Sequence, residues 1–498
     1  MSPFSVQAAP LDVSQLYDHV RQDPQRLRLF LRAFPKGGDL HNQLNGALYA
    51  ETLLHWAAKD DLCVSLNMGR ILPSSCGVST HNEQPAALLP KDPISWSHLI
   101  AALSMRDFVP TVGDRSAHDH FFGAFDRFAA AEQSHRGEML AEAMKQAARN
   151  NVSYVEFAVA PVASSTVSVE GKPKLIQPSD LPRVHEELLK SLPGLAQKAQ
   201  QDITDMEAQA RGILLCGEKN EDPACHIEVR YLFQASRNMA PIMVFTELEI
   251  GYLLTHDNRD FVGVTFTGAE DSPRALTGYD LQMEMFRFLN GVYKDIRLAL
   301  PAGELTASLV PPGNLSSHIY SALHVAGANR IAQGLDVASE DNGADVMDMM
   351  ARQSIALELN LTRNELLTNM KGRNHPFMMF YRAGVPIVLT SDNGGVFRTD
   401  LTEQYALAAE RYGLAYSDLV RFSQNSLEQS FIEGRSLWVN GNLGEKVRAC
   451  ASDVPFARLS KSCAAYLRNN AKARLEWSLE ADLKEFAVHV VKNTVLTR

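Results

Sequence analysis

Eight strand-like runs, each followed by a stretch with helical spacing, predict an α/β fold for this 498-residue chain: a closed (β/α)8 TIM barrel. The alternation persists from the first strand near residue 39 to the last near residue 391, which is the regularity a parallel barrel requires. No G-x-G-x-x-G follows the first strand, and that argues against the main alternative, a doubly wound open sheet.

The elements can be justified in order. Residues 11–34 carry Leu16, Val20, Leu27, Phe30 and Leu31 at helical spacing, and form an N-terminal helical extension that takes in residues 1–34. The opening strand covers residues 39–44 and residues 49–59 are helical. The Ser-, Pro- and Asn-rich stretch 63–93 reads as a long loop, part of an insertion of about residues 60–106. Residues 107–150 are mostly helix. Strands are then expected at 152–160, 227–233, 261–267, 296–300, 330–337, 355–361 and 386–391, with amphipathic helices at 179–210, 279–293, 315–326, 345–352 and 374–383. Residues 402–498 are helical and charged, and complete the outer ring. No internal repeat or low-complexity segment divides the region 35–498, which reads as one barrel domain.

Composition narrows the function classes. At 45% hydrophobic and 21% charged residues the chain is an ordinary globular protein, and a net charge of -10 without a long Lys/Arg cluster argues against nucleic acid as a partner. No apolar run approaches the ~18 residues of a membrane span. The six cysteines fall as close pairs, Cys63 with Cys76, Cys216 with Cys225 and Cys450 with Cys463. That placement fits three local disulfides and a periplasmic or secreted protein; six free thiols in a cytosolic one is the plainer alternative. Residues 1–10 lack the charged start and apolar core of a signal peptide, although Val6-Gln7-Ala8 would suit its small-residue end.

Barrel chemistry sits at the C-terminal ends of the strands. The first strand ends in His41-Asn42-Gln43, which has the period-two spacing of a His-x-His zinc pair but an amide at the second position. The fifth runs through Pro301-Ala302-Gly303-Glu304-Leu305, the sixth through Arg330-Ile331-Ala332-Gln333-Gly334, and the eighth through Thr390-Ser391-Asp392-Asn393.

With Pro35-Lys36-Gly37-Gly38-Asp39-Leu40-His41-Asn42 at one end and Asn425-Ser426-Leu427-Glu428 at the other, the chain resembles the adenosine deaminase superfamily of metal-dependent amidohydrolase barrels. It is most similar to the secreted adenosine deaminase-related growth factor branch and its bacterial relatives. The resemblance implies a zinc held by an H-x-H pair on strand one, the His of an HAGE motif on strand five and an Asp on strand eight. It also implies that the HAGE Glu serves a purine ring nitrogen, that the His of a GHG motif on strand six works with the zinc-bound water, and that a second strand-eight Asp helps to hold the base.

Carried over residue by residue, His41, Glu304 and Asp392 remain, while Gln43, Pro301, Gln333 and Asn393 stand where ligands and catalytic groups would be. His41 and Asp392 alone fall short of the three protein ligands a catalytic zinc needs. No zinc and no other cofactor is therefore expected, nor the activated water that zinc supplies. Asn45, Glu304, Asn360 and Asn393 are candidates for holding a nucleoside-like ligand, or for satisfying only one another. His118-x-His120, His318, His324, His226 and His375 do not replace the lost ligands.

The expectation is a catalytically inactive deaminase-like protein, which binds a nucleoside-like ligand or serves as a component of a protein assembly. The alternative is an active purine nucleoside deaminase, or related hydrolase, with an atypical metal site. Resemblance to the growth-factor branch further implies a homodimer or another protein partner.

Overall fold

The computed structural model describes residues 12–77, 82–112, 115–161 and 174–497. The signal-peptide reading, which rests on residues 1–10, lies outside them. The barrel strands are β1 (Gly37–Gln43), β2 (Val152–Val159), β3 (Glu228–Ser236), β4 (Phe261–Thr267), β5 (Leu298–Ala302), β6 (Arg330–Gln333), β7 (Ala356–Leu359) and β8 (Ile387–Leu389). They pair in parallel in sequence order, as βα units with right-handed crossovers demand. Both faces are covered, so the strands are buried along nearly their whole length.

Closure occurs between β1 and the turn after β8. The N–H of Gln43 donates to the Asp392 carbonyl at 3.1 Å, and the N–H of Asp392 donates to the His41 carbonyl at 2.9 Å. His41, Gln43 and Asp392 therefore lie at the seam that shuts the cylinder. Just below it the Asp39 carboxylate accepts the Ser391 N–H at 3.1 Å, so the seam is held by side chain as well as backbone.

Inside the barrel, a charged column replaces part of the usual aliphatic filling. Arg330, wholly buried, donates to Glu156 of β2 at 2.5 Å, and its Nε lies 2.5 Å from Glu358 of β7 as a charge contact without hydrogen-bond alignment. Its guanidinium stacks 3.7 Å from the Phe431 ring. Glu358 then reaches His41, so a chain of charges runs from the barrel floor to its mouth.

The N-terminal extension forms two helices, Val13–Val20 and Pro24–Ala33, started by the caps of Asp12 and Asp23. Phe30 and Phe34 pack on Tyr416 and Phe486 of the C-terminal helices Tyr416–Glu428 and Ala471–Val490, and Tyr17 donates to the Leu414 carbonyl at 3.0 Å. The extension is thus part of the shell around the barrel.

The stretch expected to be a loop holds more structure than that. Cys63–Ser65, Arg70–Ile71 and Glu83–Pro85 form a small antiparallel sheet, and Pro93–Ala102 is a helix capped by Asp92. Strands of two or three residues are too short to show alternation. The helix expected over residues 179–210 is two, Leu181–Leu188 and Leu192–Ile213. Disulfides join Cys63 to Cys76, Cys216 to Cys225 and Cys450 to Cys463, with Cα separations of 4.8, 5.4 and 4.6 Å. Among the described residues, no helix is long and apolar enough to cross a membrane.

Candidate functional site

The strand ends converge at the mouth of the barrel on a hydrogen-bonded polar network. His41 is buried, with its Nδ1 2.9 Å from Glu358 and its Nε2 3.1 Å from the Gln43 amide. Burial, the largest single influence, would lower the ring's affinity for a proton, but the hydrogen bond and charge of Glu358 together with the charge of Asp392 raise His41 above its ordinary value. Both nitrogens that could meet a metal are occupied. The neighbouring amide can present nitrogen to a neutral ring or oxygen to a protonated one.

Asp392 is equally committed. It accepts from the Gln333 amide at 3.3 Å, from the Asn393 amide, and from Arg363 at 3.4 Å. Gln333 accepts in turn from Asn364 at 2.5 Å, and Asn364 is 3.0 Å from His375. His375, which the sequence places near the start of an element and away from the rim, is instead only two hydrogen bonds from Gln333, through Asn364. Burial, with help from nearby Arg411, pushes His375 down to about 4, so it remains a neutral hydrogen-bonding ring.

Gln333 and Asp392 both have left-handed backbone, at φ 78° and 54°. That conformation is costly for residues with a Cβ and is found where a side chain must be aimed.

Glu304 sits just past β5, with its own N–H and that of Gly303 held by Glu270 at 2.9 and 3.0 Å. Its carboxylate makes a two-pronged pair with Arg363, each contact 2.5 Å long. Pro301 has no side-chain donor atom, and its carbonyl accepts from the buried Arg237 at 2.7 Å. Asn360 caps the helix Leu361–Thr368 and donates to the carbonyls of Thr390 and Ser391, both at 2.9 Å. Asn45 is half-buried in the single turn after β1.

His118 and His120 both lie on the helix Ala117–Glu132 but take different partners. His118 is 3.0 Å from Asp271, whereas His120 faces the carbonyls of Ala101 and Ser104. His318 is 2.6 Å from Glu270 and stacks on Tyr279.

A deaminase-type zinc does not fit these residues. Pro301 offers no ligand, His41 faces an amide at one nitrogen and a carboxylate at the other, and Asp392 is taken by two amides and a guanidinium. Among the described residues, no group of three or more His, Cys, Asp or Glu is arranged to hold a metal ion.

Arg363 was not legible as part of this site. A signal for it does exist: it is a cation in the first turn of a helix, where the helix dipole disfavours positive charge, so another partner is required. Glu358, Asn364 and Glu270 are hidden in the same way, since a polar residue on a strand or helix says nothing about which distant strand end it meets.

Behind the Glu304 loop lies a buried carboxyl whose two oxygens have no hydrogen-bond partner, Asp336. Burial, and then the charges of Glu270 and Glu340, push it up to about 9. Between its ordinary value of 3.8 and about 9 the folded state holds more protons than the unfolded state, so its contribution favours folding most at low pH and is lost as the pH rises through that window. Asp336→Asn is expected to flatten this slope and to stabilise the protein on the order of a few kcal/mol at pH 8. Urea midpoints measured for both proteins between pH 5 and 9 check this, and parallel pH profiles would contradict it.

Comparison with known proteins bears on this geometry. The family model described as adenosine deaminase matches residues 106–437, more than half of the chain. An adenosine deaminase of Plasmodium falciparum (isolate 3D7) is 29% identical over 176 residues, 35% of this chain and 44% of that protein. An N6-methyl-AMP deaminase of Danio rerio is 27% identical over 243 residues, 45% of this chain and 61% of that protein. The chain thus spans less than two thirds of the length of either relative. The solved N6-mAMP deaminase of arabidopsis superposes with a TM-score of 0.54 over 81% of this chain and 96% of its own, at 19% identity, a likeness of fold.

Proposed function

The chain belongs to the adenosine deaminase family, and from that premise we propose that it keeps the family's barrel as a scaffold without zinc-dependent deamination. The observation that carries the reading is the state of the strand ends: the ring of His41 and the carboxylate of Asp392 are spent on neighbouring side chains, and Pro301 leaves a gap in the ligand set. Without three ligands there is no site to lower the pKa of a bound water, and Gln333 cannot carry a proton as an imidazole does.

The polar groups of the rim also satisfy one another. Glu304 is paired with Arg363, Asn360 caps a helix and Asn393 serves Asp392. This supports a role in a protein assembly over capture of a nucleoside, and the three disulfides support work in a periplasmic or secreted setting. The partner would be a second copy of this chain or another protein, as the resemblance to the secreted branch implies.

Calorimetric titration of the purified protein with zinc, followed by a thermal-shift screen with nucleosides, tests the reading. No zinc isotherm and no stabilisation by nucleosides is the expected result. Stoichiometric zinc binding would overturn the non-catalytic reading, and stabilisation by a nucleoside would replace the assembly role with a ligand-binding one.

A further inference from the structure

Glu304 and Asp392, the two acidic residues retained from the family's motifs at the barrel mouth, are both held by one side chain of the same molecule. Nε and Nη2 of Arg363 each lie 2.5 Å from an oxygen of Glu304, and Nη1 lies 3.4 Å from Asp392. The guanidinium is set over aromatic rings, 5.0 Å from the centroid of Phe121 and 5.9 Å from that of Phe122, and its side chain is only 12% exposed. Two carboxylates in so little water repel each other and must be neutralised.

Four elements converge to do so: the helix after β7 supplies the cation, the loops after β5 and β8 supply the anions, and the helix Ala117–Glu132 supplies the aromatic wall. The two amides on Asp392, from Gln333 and Asn393, add donors without adding charge.

On the reading that this rim holds no zinc, we propose that Arg363 is a built-in cation that takes over the electrostatic task of a metal ion at the barrel mouth, neutralising Glu304 and Asp392 and tying the helix after β7 to the loops after β5 and β8. A planar fork suits this work better than an ammonium, because two parallel contacts to Glu304 leave the third arm aimed at Asp392. The site is then independent of metal supply. A divalent cation could enter only by displacing the guanidinium.

The test is thermal unfolding of the full chain and three variants, Arg363→Met, Arg363→Lys and the triple Glu304→Gln/Asp392→Asn/Arg363→Met. Each is measured alone and with EDTA, zinc chloride or low-millimolar methylguanidinium. Wild type should be indifferent to all three additions. Arg363→Met should lose several degrees of Tm, and Arg363→Lys should recover only part of the loss. Methylguanidinium and zinc should raise the Tm of Arg363→Met alone, since it alone presents the two carboxylates without a neutralising cation. The triple variant, which loses cation and anions together, should unfold close to wild type.

A triple variant as unstable as Arg363→Met would assign Arg363 to packing and overturn the proposal. So would an Arg363→Met protein as stable as wild type, or a wild type stabilised by zinc. The readout is the coupling between Arg363 and the carboxylates, so it is separate from deamination: turnover by the wild type would sink the non-catalytic reading and leave this coupling to be judged on its own.

Discussion

Arg330→Met is expected to destabilise the protein by about 3–5 kcal/mol, the cost of breaking a buried ion pair by removing one partner. Among the described residues Arg330 is the one Lys or Arg paired with both Glu156 and Glu358, and all three side chains are at most 1% exposed. Its removal leaves two carboxylates in the barrel interior, and the stacking on Phe431 and a 2.9 Å bond to the Gln429 carbonyl go with it. Glu358 also orients His41, so the damage should reach the mouth. Urea unfolding followed by far-UV circular dichroism measures the loss. Neutralising all three groups together, in Glu156→Gln/Arg330→Met/Glu358→Gln, should cost much less, because no orphaned charge remains. A single variant within about 1 kcal/mol of wild type would show that the column is dispensable.

The second large effect concerns rebuilding the metal site. Gln43→His, Pro301→His, Gln333→His and Asn393→Asp together supply the family's missing groups around His41 and Asp392, and on a ligand count alone they should bind zinc. The geometry at Asp392 adds a condition. Arg363 stays against that carboxylate and against Glu304, and a unit charge ~5 Å from another contributes on the order of 3 kcal/mol at an effective dielectric of ~20, more for a divalent ion. The four substitutions are therefore expected to give weak zinc binding, and adding Arg363→Met to tighten Kd at least tenfold, or ~1.4 kcal/mol. Competition with a chromophoric chelator gives both constants. Equal affinities with and without Arg363 would remove the guanidinium from the account.

Sequence periodicity located all eight barrel strands, because each is a short buried run between helices of a different period. Their ends are less legible. The pattern predicts strand over residues 330–337, but β6 stops at Gln333, where the left-handed backbone turns the chain out of the sheet. Pro301 and Ala302 lie inside β5, beyond the expected end at residue 300, because pairing with β6 carries the strand on: Ala302 lies opposite Gln333. The six cysteines were legible as pairs from spacing alone.

At the mouth, motif positions placed His41, Gln43, Gln333, Asp392 and Asn393 within one network, since residues at parallel strand ends must converge. Arg363, Asn364 and Glu358 stayed hidden. They enter through contacts between elements far apart in sequence, such as the 59 residues between Glu304 and Arg363, and no local pattern encodes these.

The central claim, a deaminase barrel that has given up deamination, is tested most directly by a turnover assay. Purified protein supplied with excess zinc is mixed with adenosine, and ammonia release is followed for wild type and for Glu304→Gln. The account predicts that neither exceeds the rate in buffer. Zinc-dependent turnover by wild type that Glu304→Gln abolishes would contradict it.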